Sequence, residues 1–249
     1  AVPSASMHLR HSSRRPDSAA AAIDRTAMSR CHHRWACPPF VRDSEPIRGA
    51  CRSVPVSAFG DFNMTTPHFT LTVVTSSDGF IGRSSDETPG AWASPEEQAL
   101  FLEDVANADW GIMGRRTHEL ADRPERRRIV FSASGGSGTW RRPSQVWLDP
   151  SLATPADLAT LVAPVRPLAR GLILGGTRVH DWFANHDAID RIHLSIEPLE
   201  FGEGLPLFSA HRGPPDAVLS AMGFERSADR LLNKRGTRHQ LWLPARRGS

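Results

Sequence analysis

From residue 69 onward, short β-branched runs alternate with amphipathic helical stretches, and glycine or proline marks most of the switches. That rhythm leaves few folds open. Strands joined through helices run parallel, and a parallel sheet must be covered on both faces. Strands read at residues 69–75, 110–113, 128–132, 145–148, 170–174 and 190–196. Helices read at 117–121, 154–162 and 177–184, with a longer one opening at Ser94-Pro95 and carrying Leu100, Phe101 and Val105 on one face. Ser94 has the chemistry of an N-cap, Pro95 suits the first turn, and Glu97 stands where a capping box places its acid. Two more strands, 224–231 and 238–243, flank the hairpin signal Asn233-Lys234-Arg235-Gly236. The expectation is an α/β domain over residues 64–249. It has one mixed, mostly parallel sheet of about eight strands flanked by helices, with an antiparallel hairpin at one edge.

Residues 1–63 lack that rhythm. They are rich in Ser, Arg, Pro and Ala, with apolar residues scattered singly, and such a segment buries too little surface to offset its ordering entropy. They read as a disordered basic extension. An Arg- and Ser-rich targeting peptide and a basic arm for an acidic partner are alternatives, but an extension ahead of a natural start at Met64 fits best, because order begins just after that residue. This segment holds nine Arg against five acids, whereas residues 64–249 hold 20 Arg and one Lys against 22 acids. The overall charge of +3 is therefore no argument for nucleic-acid binding by the folded part. All three cysteines, Cys31, Cys37 and Cys51, lie in the extension, so the domain is not built on disulfides and a reducing, cytoplasmic setting is expected. Cys31-His32-His33-Arg34-Trp35-Ala36-Cys37 is too widely spaced for a zinc knuckle and no second pair follows, so no metal site is expected. No stretch reaches the ~20 consecutive apolar residues of a membrane helix.

Chemistry in an open α/β sheet sits beyond the carboxyl ends of its strands. Gly114-Arg115-Arg116-Thr117 follows one such end, combining a turn that lets a ligand approach the backbone with paired guanidiniums suited to phosphate. Gly175-Gly176-Thr177-Arg178 follows another. Ser132 follows a third and is small and polar enough to face a ribose. Gly135-Gly136-Ser137-Gly138 does not join strand to helix as a dinucleotide fingerprint does, and reads as a flexible loop. Two glycine-marked ends with arginines suit a large phosphorylated cofactor, and arginine favours the 2′-phosphate of NADPH over NADH.

Four motifs in order carry a family resemblance. F-T-L-T-V-V-T-S-S-D-G-F-I-G at 69–82, I-M-G-R-R-T at 112–117, L-G-G at 174–176 and D-R-I-H-L-S-I-E-P-L-E-F-G-E-G-L-P-L-F at 190–208 resemble the dihydrofolate-reductase-like superfamily. They are closest to the C-terminal reductase domain of the riboflavin-biosynthesis deaminase/reductase. The resemblance implies NADPH phosphates on Gly114, Arg115, Arg116 and Thr117, the adenosine ribose near Ser132, and the pyrophosphate and nicotinamide side on Gly175, Gly176, Thr177 and Arg178. It places Asp78 and the 79–82 turn beside nicotinamide and substrate, and Glu203, between Gly202 and Gly204, at the substrate pocket. The spacing of Trp92, Pro95, Glu97 and Phe101 is similar to dihydrofolate reductase itself, which implies that Trp92 contacts substrate and that Glu97 assists protonation.

Two departures separate the chain from the riboflavin-pathway reductases. His118-Glu119-Leu120-Ala121-Asp122-Arg123-Pro124 stands where D-x-P-x-L-T is usual, and Leu174 rather than an acid precedes the paired glycines. The chain reads as a stand-alone member. The expected function is an NADPH-dependent reduction of a pyrimidine- or pteridine-type small molecule, with loop 79–92 closing over the site and solvent, Asp78 or Glu97 supplying the proton. Glycines at 79, 82 and 90 would make that loop deformable. A true dihydrofolate reductase and a non-catalytic NADPH binder are the alternatives. A homodimer is implied by the resemblance alone; the apolar run Leu199, Phe201, Leu205, Leu207, Phe208 suits either an interface or the core.

Overall fold

The computed structural model describes residues 66–245. The basic extension with its cysteines lies outside the described residues. Among the described residues eleven strands are formed: β1 His68–Ser76, β2 Phe80–Gly82, β3 Trp110–Gly114, β4 Arg128–Phe131, β5 Thr139–Arg142, β6 Gln145–Leu148, β7 Arg170–Ile173, β8 Arg191–Glu197, β9 Leu205–Pro206, β10 Phe224–Leu231 and β11 Arg238–Pro244. Five helices accompany them: α1 Pro95–Asn107, α2 Arg115–Leu120, α3 Pro155–Val162, α4 Thr177–Asn185 and α5 Pro215–Ala221.

Nine strands make one sheet in the order β10-β11-β8-β1-β7-β3-β4-β6-β5. The six strands from β8 to β6 run parallel, whereas β11, β10 and β5 are antiparallel to their neighbours. The mixed, mostly parallel architecture is the one the alternation demands. The ninth strand is β5, which leaves the glycine-rich segment read as a flexible loop. That segment is instead a tight turn: Gly135 is buried against the backbone of Leu148, and Asp149 N–H donates to the Gly136 carbonyl. Helix α5 is too short for a period to reveal, yet it buries Val218 and Leu219. The terminal hairpin closes as expected. The Asn233 side chain accepts N–H bonds from Arg235 and Thr237, and Gly236 takes φ 102°.

The two faces of the sheet carry different loads. Phe69, Leu71, Trp110, Ile112, Ile129 and Phe131 belong to the main core with Leu158 and Val162 of α3 and Phe183 of α4. Phe183 packs 4.9 Å from the Phe69 ring and lies stacked with Phe131. The opposite face turns Thr72 toward α1, where its hydroxyl donates to Asp104 at 2.8 Å. Between α1 and α2 that face is left partly uncovered, and the candidate site lies there. Leu207 and Phe208 are fully buried, so this part of the apolar run serves the core. No helix among the described residues is long and apolar enough to cross a membrane.

Asp109, at the entry to β3, locks the start of the central strands. Its buried carboxylate accepts two bonds from the Arg166 guanidinium, at 2.9 and 3.0 Å, and backbone N–H bonds from Ala169 and Arg170. Burial alone would raise its pKa, but those bonds and the two arginine charges hold it below the usual 3.8. Such a group stabilises the fold above its unfolded pKa and loses that contribution as pH falls through its folded pKa. Asp109→Asn is expected to cost about 1–3 kcal/mol at pH 7 in chemical denaturation. The gap to wild type should close progressively below pH 3.8.

Candidate active site

The uncovered face forms a cavity of about 560 Å³. Its floor is Thr72, Val74, Gly111, Met113 and Leu172; Phe101 and Val105 of α1 form one wall, and Thr117 and Leu120 of α2 the other. Ser84, Ser85, Thr88 and Gly90 bring the preceding loop over its mouth. Arg116 donates to the Ser85 hydroxyl at 3.0 Å and ties the loop to α2, while Arg83 pairs with Glu87 at 2.7 Å within the loop itself. Gly79 is no hinge. It takes φ 91°, and a Cβ there would overlap the Gly213 carbonyl oxygen.

The two glycine turns stand side by side. Parallel pairing of β3 with β7 brings their ends together, and Gly114 N–H donates to the Gly175 carbonyl at 3.1 Å. Gly175 takes φ 97°, a conformation that disfavours any side chain, and Gly176 opens on free space where a Cβ would stand. Thr117, Gly175 and Gly176 line the cavity. Arg115 and Arg178 are exposed beside it, Arg115 lying 3.8 Å from Glu119. Thr177 is committed locally, its hydroxyl donating to the Pro206 carbonyl at 2.6 Å. Ser132 caps a short turn after β4 and bonds Ser134.

The other residues divide. Glu203 is exposed on its loop and does not line the cavity. Trp92 packs edge-on against Phe201 at 5.1 Å and is not among the residues that line the cavity. Asp78 also lies outside the lining. Its carboxylate accepts the N–H groups of Phe201 and Gly202, the latter at 2.7 Å. Burial pulls its pKa upward, but hydrogen bonds from Ser76, Gly202 and Phe201 prevail and hold it below the usual value. Glu97 is buried at 3% exposure and lines the cavity.

The capping box expected of Glu97 is completed by a different residue. Ser94 Oγ does accept Glu97 N–H, at 3.4 Å. The Ser94 N–H, however, donates to Glu197 at the end of β8, at 2.6 Å. The second Glu197 oxygen accepts the Thr237 hydroxyl at 2.7 Å. Glu97 is thereby released from capping and left in an apolar wall. Desolvation first, then repulsion from Glu197 and Asp104, pushes its pKa up to about 7. Asp104 itself moves the other way. Burial opposes ionisation, but His193 at 2.8 Å and the Thr72 hydroxyl hold it below the usual range. Sequence reasoning missed Glu197, because nothing near residue 197 signals a partner 103 positions earlier. Among the described residues no cluster of His, Cys, Asp and Glu is arranged to hold a metal ion.

No family model and no curated protein matches the sequence. Solved structures do match the fold. A protein from Shewanella sp. PV-4, described as a riboflavin biosynthesis protein, aligns with a TM-score of 0.54 and 16% identity, over 72% of this chain and 99% of its own. The diaminohydroxyphosphoribosylaminopyrimidine deaminase/5-amino-6-(5-phosphoribosylamino)uracil reductase of Thermotoga maritima aligns at 0.53 and 16% identity, over 74% of this chain and 58% of its own. Enterococcus faecalis dihydrofolate reductase, in complex with NADP(H) and RAB-propyl, aligns at 0.50 and 14% identity, over 72% of this chain and 96% of its own. The chain has the dihydrofolate-reductase-like fold.

The Glu97 carboxyl should titrate near pH 7 in carbon-detected NMR, and Glu197→Gln should return it toward the ordinary 4.5. A carboxyl whose pKa rises on folding contributes its stability below the unfolded value and loses it as pH rises through the folded one. Glu97→Gln should therefore gain stability relative to wild type between pH 4.5 and about 7, read from denaturation midpoints.

Proposed function

We propose that this chain is an NADPH-dependent reductase acting on a C=N bond of a small pteridine- or pyrimidine-type ring, with Glu97 as the proton donor. One observation carries the reading. A buried carboxyl with its pKa raised to about 7 faces a cavity that adjoins two glycine turns at neighbouring strand ends. The NADP(H) complex of the Enterococcus dihydrofolate reductase and the reductase activity in the Thermotoga protein's description support the same class of chemistry.

The residues present fit the cofactor. Gly175 and Gly176 offer backbone with no Cβ in the way, and Arg115, Arg116 and Arg178 offer exposed guanidiniums. Gly114, Thr117 and Thr177 would flank the phosphates with these arginines, and Ser132 would lie toward the adenosine ribose. NADPH supplies the hydride when bound. Saturating a C=N bond also consumes a proton at nitrogen. Glu97, half protonated near neutrality, is matched to that task. Asp78 is not, because its backbone hydrogen bonds stabilise the ionised form. Phe101 gives a ring an apolar wall, and the tied loop limits water at the mouth. Arg123 and Arg126 line the same cavity, which suits a substrate with a carboxylate or phosphate tail.

Dihydrofolate itself is the second reading. It is favoured by the placement of Glu97 and Phe101, four residues apart on α1, on one cavity wall. Steady-state assays with dihydrofolate and with phosphoribosylamino-pyrimidines decide between the two, and no NADPH oxidation with any of them would refute both.

Replacing Arg115 and Arg116 together by Ala should weaken NADPH by roughly 10–100-fold in isothermal titration while changing NADH far less. Equal losses would mean that the pair does not recognise the 2′-phosphate. Glu97→Gln should lower kcat by about 10²–10⁴-fold. Wild-type activity should fall as pH rises through about 7, and that limb should vanish in the variant.

A further inference from the structure

His180 occupies the first turn of α4, one turn beyond the paired glycines, and was not singled out by any motif. Its ring is buried at 1% exposure yet borders the cavity. Two contacts fix its orientation. Nδ1 lies 2.9 Å from the Leu207 carbonyl oxygen, and the ring packs edge-on against Phe208 at 5.9 Å. A carbonyl only accepts, so Nδ1 must carry the hydrogen. Nε2 is then a bare lone pair, and it has no partner. An unpaired buried acceptor costs about 1–3 kcal/mol, so its retention calls for an explanation.

The neighbouring turn provides one. A Cβ on Gly175 would stand 3.0 Å from Nε2 and 3.6 Å from Cε1, with no other contact within 4 Å beyond the adjoining residues. Glycine at this position therefore lets Nε2 lie close against the turn with no side chain between them. Gly176, next in the chain, also lines the cavity and has nothing within 4 Å of its Cβ position.

We infer that His180 is a ligand-binding residue whose Nε2 accepts a hydrogen bond from an N–H group of the molecule held over Gly175-Gly176, and that the donor is the primary amide of the cofactor's nicotinamide ring. The inference rests on the proposed NADPH site and goes beyond it by assigning one acceptor to one donor. A donor is required. Burial drives the His180 pKa down to about 4, overcoming the opposing pull of the Leu207 carbonyl and Asp181, so the imidazole stays uncharged at neutral pH. A phosphate, which offers acceptors, would meet a lone pair there and be repelled. An amino or lactam N–H of a pyrimidine substrate has the same donor chemistry and is the other source to be separated.

The test uses the full chain and three probes: NADP⁺, its 3-acetylpyridine analogue, in which a methyl ketone replaces the amide, and 2,4-diaminopyrimidine. In ¹⁵N-detected NMR the His180 Nε2 resonance should move upfield with NADP⁺ and stay in place with the acetyl analogue. In parallel titrations wild type should prefer NADP⁺ by about tenfold, and His180→Phe should abolish the preference while still binding both. A shift that appears with diaminopyrimidine instead would overturn the cofactor assignment and give the acceptor to the substrate. Saturable NADP⁺ binding with an unmoved Nε2 would sink this inference alone. Absence of NADP⁺ binding would sink the proposed function with it. The NMR arm needs no variant, so a misfolded His180→Phe cannot mask the outcome.

Discussion

The site turns on one carboxylate that performs no chemistry. Glu197, at the end of a central strand, takes the N–H of Ser94, the N-cap of α1, with one oxygen and the Thr237 hydroxyl with the other. A buried carboxylate is tolerated only when its oxygens are satisfied in this way. The bond pins the start of α1 to the sheet, and so sets the wall on which Glu97 and Phe101 stand. Because the cap is already completed, Glu97 gains no backbone partner for its side chain, and the nearby negative charge disfavours its ionisation. One interaction thus serves both the position of the helix and the protonation of the acid beside the cavity.

The same economy appears at the other end of the cavity. The parallel pairing of β3 and β7 aligns two turns whose glycines bond to each other through Gly114 N–H and the Gly175 carbonyl. That bond uses backbone groups already present at the strand ends. The surface over Gly176 stays clear, and the unpaired His180 nitrogen lies against the same turn. Polar groups without partners are expensive in a core, and here they collect where a ligand can satisfy them. Asp109, at the entry to β3, shows the contrast: its carboxylate accepts four N–H bonds, and its role is stability.

Much of this architecture was legible in the residues. The strands at 69–75, 110–113 and 170–174, the helix opening at Ser94-Pro95 and the hairpin at Asn233–Gly236 follow from hydrophobic period, capping chemistry and turn propensity. β5 escaped because an exposed edge strand of four residues has no apolar alternation, its burial pattern being almost wholly exposed. The segment before it looked flexible because four small residues carry no local contact signal, whereas the Leu148 backbone packs against Gly135 in the fold. Asp78 was a candidate proton donor because the family resemblance places it beside nicotinamide and substrate; only the return of the 199–202 loop reveals that its oxygens are already occupied.

What the amino-acid order alone determined is therefore local: which stretches pair as strands, where they must turn, and that glycines and arginines stand at two of those turns. The protonation of Glu97 and the bare nitrogen of His180 belong to the tertiary structure. Electrostatics and desolvation act through space, and Glu197 reaches α1 across 103 residues of chain while Leu207 meets His180 across 27. Local propensity carries no record of either distance, so chemistry that depends on them exists only once the sheet has closed.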